Sequence, residues 1–386
     1  MIQPIQYGID VFLQQPNVFK NKRIALVTNN AATTISGELS RVALVKSGFN
    51  LVTLFSPEHG IATTGDDGVF QQNITDPVTG LPVISLYADK LAPSKEDLQN
   101  IDLVLFDIPD VGCRFYTYLW TMTHAMEACA ANQKTFVVLD RPNPIGAELS
   151  KAEGPFLDEQ NCSSFIGRWN IPLKHSCTLG ELALYFAATK ISALNIEVIK
   201  TQHYKRTETA VADFFFTPTS PAIQLIETAM LYPGTGLLEG INVNEGRGTE
   251  QPFQICGAPW MKNEELKQSM EQHHHPGFAF TTCVYKPVAG MFAAETCNGL
   301  QLHITDANKV SAVKTGIALV QTIIQLHPQT IKERLYTTNA NPTGIAHLDK
   351  LLGVQHAFTK LQQGHSVETN VATEWEQTMK PYLLYD

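Results

Sequence analysis

The chain lacks the short motifs that announce several common chemistries. No CxxC pair and no HExxH occurs, which removes the usual zinc-ligand spacings. No GxGxxG follows the first apolar run, where the residues are Thr28-Asn29-Asn30-Ala31-Ala32, and no GxxxxGK[ST] occurs anywhere, so dinucleotide and P-loop nucleotide binding are not expected. The absence of GxSxG weighs against a serine hydrolase. No window approaches the ~20 apolar residues that a membrane helix needs. Charged residues make up only 17% of the chain and sum to -9, with no Lys/Arg cluster, which argues against a nucleic-acid surface. The seven cysteines are scattered and odd in number, a pattern of free buried thiols rather than a disulfide framework. His273-His274-His275 precedes Pro276-Gly277 and reads as an exposed turn, because adjacent histidines cannot all face one ion. No metal and no cofactor is expected. The start, Met1-Ile2-Gln3-Pro4-Ile5, has neither the basic nor the apolar part of a secretory signal, so a cytoplasmic protein is expected, or a periplasmic or secreted one if a signal had been removed.

What is present is a globular composition, 44% hydrophobic over 386 residues, enough for two packed units. Short apolar runs at 23–28, 51–55, 83–87, 103–107, 136–140 and 196–199 alternate with helical patterns near 36–48, 94–99, 117–132 and 178–189. That alternation predicts βαβ units on a doubly wound, mostly parallel sheet. Beyond about 255 the pattern changes to strands at 278–282 and 300–304 and a helix near 308–326, which predicts a smaller α+β domain at 255–386 after a Rossmann-like domain at 1–254. The stretch 59–80, rich in Gly, Thr, Asp and Asn, reads as a long functional or mobile loop.

In a parallel sheet the strand ends share one rim, where ligands bind. Polar residues gather at these ends: Asn29 and Asn30, Glu58 and His59, Asp107, Asp110 and Arg114, then Asp140, Arg141 and Asn143. Asp107 to Tyr118 combines acids, an arginine that can fork onto a carboxylate, and Tyr116 and Tyr118, which suit a sugar ring. A structural alternative has Asp110 capping the following helix and Arg114 pairing with Asp107. The glycine-rich stretch 240–249 adds Asn244, Glu245, Arg247 and Thr249. Two carboxylates flanking a glycosidic bond equip most glycoside hydrolases. Glu58, desolvated at an apolar strand end, is the candidate acid. Its partner is sought among Glu245, Asp110, Asp107 and Glu153.

Together these motifs resemble the bacterial exo-β-N-acetylmuramidase family, formerly a domain of unknown function. The resemblance is carried by Gly8-Ile9-Asp10, Ser56-Pro57-Glu58-His59-Gly60, the stretch 106–118, Leu139-Asp140-Arg141-Pro142-Asn143-Pro144, Glu153-Gly154-Pro155, Glu239-Gly240, and Glu245-Gly246-Arg247-Gly248-Thr249. It implies a Rossmann-like domain with a smaller auxiliary one, a site in the cleft between them, and release of N-acetylmuramic acid from the non-reducing end of peptidoglycan fragments. It places the family's catalytic glutamate on Glu58.

The candidate catalytic residues are therefore Glu58, Glu245 and Asp110. The candidate substrate contacts are Asn29, His59, Arg114, Tyr116, Tyr118, Asn143, Glu153, Asn244, Arg247 and Thr249, with Arg114 or Arg247 as the clamp on the lactyl carboxylate. The expected partner is a small glycan, a muropeptide or disaccharide, and neither nucleic acid nor membrane. A non-catalytic muropeptide-binding or sensing protein is the alternative from another functional class. A different small-molecule hydrolase on the same scaffold is the third.

Overall fold

The computed structural model describes residues 3–66, 68–69, 72–338 and 341–386, together with the backbone but not the side chains of Pro16 and Asn17. Met1 and Ile2 of the chain start, and Asp67, Phe70 and Gln71 of the loop at 59–80, lie outside the described residues.

The described residues form twelve strands: β1 (Ile24–Thr28), β2 (Leu51–Ser56), β3 (Ile74–Thr75), β4 (Pro82–Ser85), β5 (Leu103–Asp107), β6 (Thr135–Leu139), β7 (Glu153–Phe156), β8 (Pro172–Lys174), β9 (Asn195–Ile199), β10 (Ile255–Ala258), β11 (Phe278–Tyr285) and β12 (Cys297–Ile304). The main sheet has the order β3-β4-β2-β1-β5-β6-β9, and only the short edge strand β3 runs antiparallel to its neighbour. The six expected runs correspond to β1, β2, β4, β5, β6 and β9, within a residue or two at most ends.

Alternation along the strands supplies both faces with apolar side chains. Ile24, Leu26, Leu103 and Leu105 enter one core, with Ile9 and Phe12 of the helix Gly8–Leu13. Ala25, Val27, Val104 and Phe106 enter the other, with Leu119, Met122 and Met126 of the helix Tyr118–Ala131. This second core is continuous with that of the smaller unit, where β10, β12 and β11 form an antiparallel sheet beside the helix Ala312–Leu326.

A close helix crossing packs the chain just before the smaller sheet against the long helix that follows it. A Cβ on Gly234 would lie 2.0 Å from the Ala312 carbonyl oxygen, and one on Gly316 would lie 2.4 Å from the Gly234 Cα. Backbones therefore touch where the helix Ile226–Thr235 crosses Ala312–Leu326. All seven cysteines are free. Among the described residues no helix is long and apolar enough to cross a membrane, and no cluster of metal-ligating side chains occurs.

Candidate active site

Beyond the end of β2 the chain turns through Pro57 to Gly60, closed by the Gly60 N–H on the Pro57 carbonyl at 3.0 Å. His59 holds a left-handed φ of 68°, a conformation that costs free energy for a non-glycine residue. Its Nδ1 meets the Gly65 carbonyl at 2.8 Å, so the ring is tied into the loop it starts. The turn sets Glu58 into the wall of a cleft with about 780 Å3 of empty space, open mouth included. Glu58 is buried, with 8% exposure. Its Oε1 accepts the Gly68 N–H at 2.9 Å, and its Oε2 meets the Thr117 hydroxyl at 2.7 Å. A backbone donor fixes the first oxygen as an acceptor, whereas a hydroxyl can accept as well as donate, so Oε2 is the oxygen able to carry a proton.

The apolar side of the cleft is aromatic. Phe115, Tyr116, Tyr232 and Phe253 line it, with edge-to-face contacts of 5.0 Å between Phe115 and Tyr232 and 4.7 Å between Tyr232 and Phe253. Tyr116 donates to the Thr219 hydroxyl and Tyr118 to the Thr219 carbonyl. Burial raises the pKa of both tyrosines, so both stay protonated.

A second buried carboxylate lines the cleft, and it is Glu239, in the short 3-10 turn Gly236–Gly240. Arg247 holds it at 2.8 Å, approaches Glu245 at 3.6 Å and lies over the Phe253 ring at 4.8 Å. Glu245 also meets Arg334 at 3.3 Å and sits behind the arginines rather than in the wall. Part of the remaining wall comes from the C-terminal part of the chain, through Tyr336, Asn341, His347, Lys350 and Leu351. Residues from both units thus face one cleft.

Of the residues expected from sequence, the fold brings Glu58, His59, Tyr116 and Arg247 to this cleft. The others are used elsewhere. Arg114 is fully buried and donates to the carbonyls of Pro155 (2.8 Å), Ile171 (2.9 Å) and Leu351 (3.1 Å). Burial without a carboxylate partner pulls its pKa down to about 10, and both of its terminal NH2 groups donate to backbone carbonyls. Asp107 pairs with Arg141 at 2.5 and 3.0 Å, not with Arg114. Asp110 accepts the Gly112 N–H and meets His175 at 3.0 Å, and it lines a separate smaller cavity beside Arg141. The helix it was expected to cap begins instead after Thr117.

Glu153 accepts from Ser311 Oγ and from the backbone N–H groups of Val313 and Lys314, so it caps the helix Ala312–Leu326 from across the domain junction. Asn29 is buried and accepts the Ala31 N–H, and Asn143 spans the Cys177 carbonyl and the Ile145 N–H. Asn244 shapes the glycine-rich loop through the carbonyls of Arg247 and Met291, while Thr249 donates to Gly246. Glu239, Thr117, His347 and Lys350 escaped sequence reasoning. Glu239 lay inside a quoted stretch, and its pairing with Arg247 eight residues on was the one available signal.

Comparison with known proteins agrees along the whole chain. The family model described as exo-β-N-acetylmuramidase NamZ, N-terminal, matches residues 24–227, and its C-terminal counterpart matches 230–385. The peptidoglycan β-N-acetylmuramidase NamZ of Bacillus subtilis (strain 168) is 40% identical over 99% of this chain and 91% of its own length. Crystal structures of two DUF1343 family proteins from Bacteroides fragilis superpose with TM-scores of 0.86 and 0.76, at 31% and 26% identity, each covering all of this chain and 100% and 99% of its own. The chain belongs to the exo-β-N-acetylmuramidase NamZ family.

Proposed function

We propose that this protein hydrolyses the glycosidic bond of a terminal β-linked N-acetylmuramic acid on peptidoglycan fragments, in the turnover or recycling of cell-wall material. The observation that carries the reading is the pair of buried carboxylates, Glu58 and Glu239, facing one cleft with an aromatic side. Membership of the family supports it. An aromatic wall takes the apolar face of a sugar ring.

Glu58 gives the proton on Oε2 to the glycosidic oxygen as the bond from that oxygen to the anomeric carbon breaks. The Gly68 N–H and Thr117 hydroxyl hold the carboxyl group in place. Glu239 supplies the second carboxylate, oriented by Arg247. Water provides the hydroxyl that ends on the anomeric carbon, and its other proton passes to the carboxylate pair, which restores the acid on Glu58 for the next turnover.

Glu58→Gln tests the assignment on two substrates. Loss of the acid costs about 10²- to 10⁴-fold on a natural disaccharide, whose leaving group needs protonation. The loss is smaller on a nitrophenyl glycoside, whose leaving group does not. Equal losses on both, or no loss on either, would remove Glu58 as the acid.

A further inference from the structure

The short helix His347–Leu352 presents His347, Lys350 and Leu351 to the cleft, the i, i+3, i+4 spacing that puts side chains on one face. Arg114 sets this helix in place through the Leu351 carbonyl. The groups on its cleft face are short of partners. Among the described residues, Lys350 Nζ has one hydrogen-bond partner, the neutral Asn341 side-chain oxygen at 2.7 Å, and no carboxylate within ion-pair distance. His347 is 5% exposed, yet neither ring nitrogen has a partner among the described residues, although Tyr336 stacks on its face at 4.5 Å. A buried imidazole N–H with nothing to donate to is unfavourable unless a ligand satisfies it.

The surrounding charges point to the sign of that ligand. Arg247 is taken by Glu239 and Glu245, and Arg334 by Glu245. Two carboxylates offset two guanidinium groups; Asp349 acts on Lys350 only through space, its oxygens accepting the His356 and Ala357 N–H groups, so the ammonium has no ion-pair partner among the described residues. N-Acetylmuramic acid differs from N-acetylglucosamine by one lactyl group, which ends in a carboxylate. We infer that His347 and Lys350 receive this lactyl carboxylate and thereby set the preference for a muramoyl over a glucosaminyl unit; the inference rests on the glycosidase reading above. The ammonium takes one oxygen and the imidazole N–H the other, at charge-assisted distances of about 2.7–2.9 Å. Burial, with Arg334, Lys350 and Arg247 nearby, holds the His347 pKa down at about 3, so the ring is neutral at ordinary pH and keeps one N–H to donate. The role expected of Arg247 as the clamp passes to Lys350, and Arg247 positions Glu239.

The test compares nitrophenyl β-N-acetylmuramide with the same glycoside carrying a lactyl methylamide. Wild type should prefer the acid by about 10- to 100-fold in kcat/KM, the range expected of one charged hydrogen-bonded contact. Lys350→Met should bring that ratio close to one, chiefly through KM, His347→Gln should reduce it part way, and Lys350→Arg should keep it. A ratio that survives Lys350→Met, or that is already near one in wild type, overturns the receptor. Wild type that cleaves neither glycoside sinks the glycosidase reading, and the receptor is then read by calorimetry. Binding of N-acetylmuramic acid over N-acetylglucosamine that vanishes in Lys350→Met supports it, and binding without preference, or with a preference the variant keeps, refutes it.

Discussion

Two places on the carboxyl rim of the sheet collect acids and arginines, and they end differently. At the ends of β1, β5 and β6, where strand order reverses, Asp107 is closed by Arg141 and Asp110 by His175. Beyond β2 the carboxylates Glu58 and Glu239 instead face open space. Open α/β sheets usually bind ligands at the reversal point. Here an internal ion pair occupies that position, and the cleft is displaced toward β2 and the second unit. Convergence of polar residues marks a rim, and opening onto the cleft, rather than freedom from pairing within the chain, separates site from structure, since Glu239 is as firmly paired with Arg247 as Asp107 is with Arg141.

The comparison breaks most sharply through Glu58→Gln, with its expected rate loss of about 10²- to 10⁴-fold and an unchanged unfolding midpoint. The opposite split is expected at the other place. Asp107→Asn leaves Arg141 buried beside a neutral amide, which should destabilise the fold by about 3–5 kcal/mol in urea unfolding while folded protein keeps its turnover. Stability retained with activity lost would mean that the reversal point is the site. A smaller effect belongs to Glu153→Gln, where loss of the charged cap should cost about 1–2 kcal/mol and lower the unfolding midpoint without changing substrate preference.

The smallest effect near neutral pH comes from His347. Its pKa falls from the ordinary 6.5 to about 3 in the folded protein. Between these values the unfolded chain carries a proton that the folded chain does not, so this residue makes stability fall as pH falls through that window. His347→Gln should flatten that part of the stability profile, and an unaltered profile would mean the ring is not held neutral.

Much of the fold was legible because periodicity reports which face of a strand or helix is buried. The turn after β2 was legible for the same reason, since an apolar run ending in Ser-Pro-Glu-His fixes where a carboxylate must emerge. Arg114 was misread because its partners, Pro155, Ile171 and Leu351, lie 41, 57 and 237 residues away in sequence. Glu153 was misread likewise, as the helix it caps starts about 160 residues later. Lys350 and His347 carry no motif, and their meaning depends on charges that cancel only in three dimensions.

The central claim is that Glu58 drives release of a terminal N-acetylmuramic acid. The direct measurement is the product mixture from a disaccharide with N-acetylmuramic acid at its non-reducing end and N-acetylglucosamine at the other. Both free sugars are expected with the wild-type protein and almost none with Glu58→Gln. Equal release by the two proteins would contradict the claim.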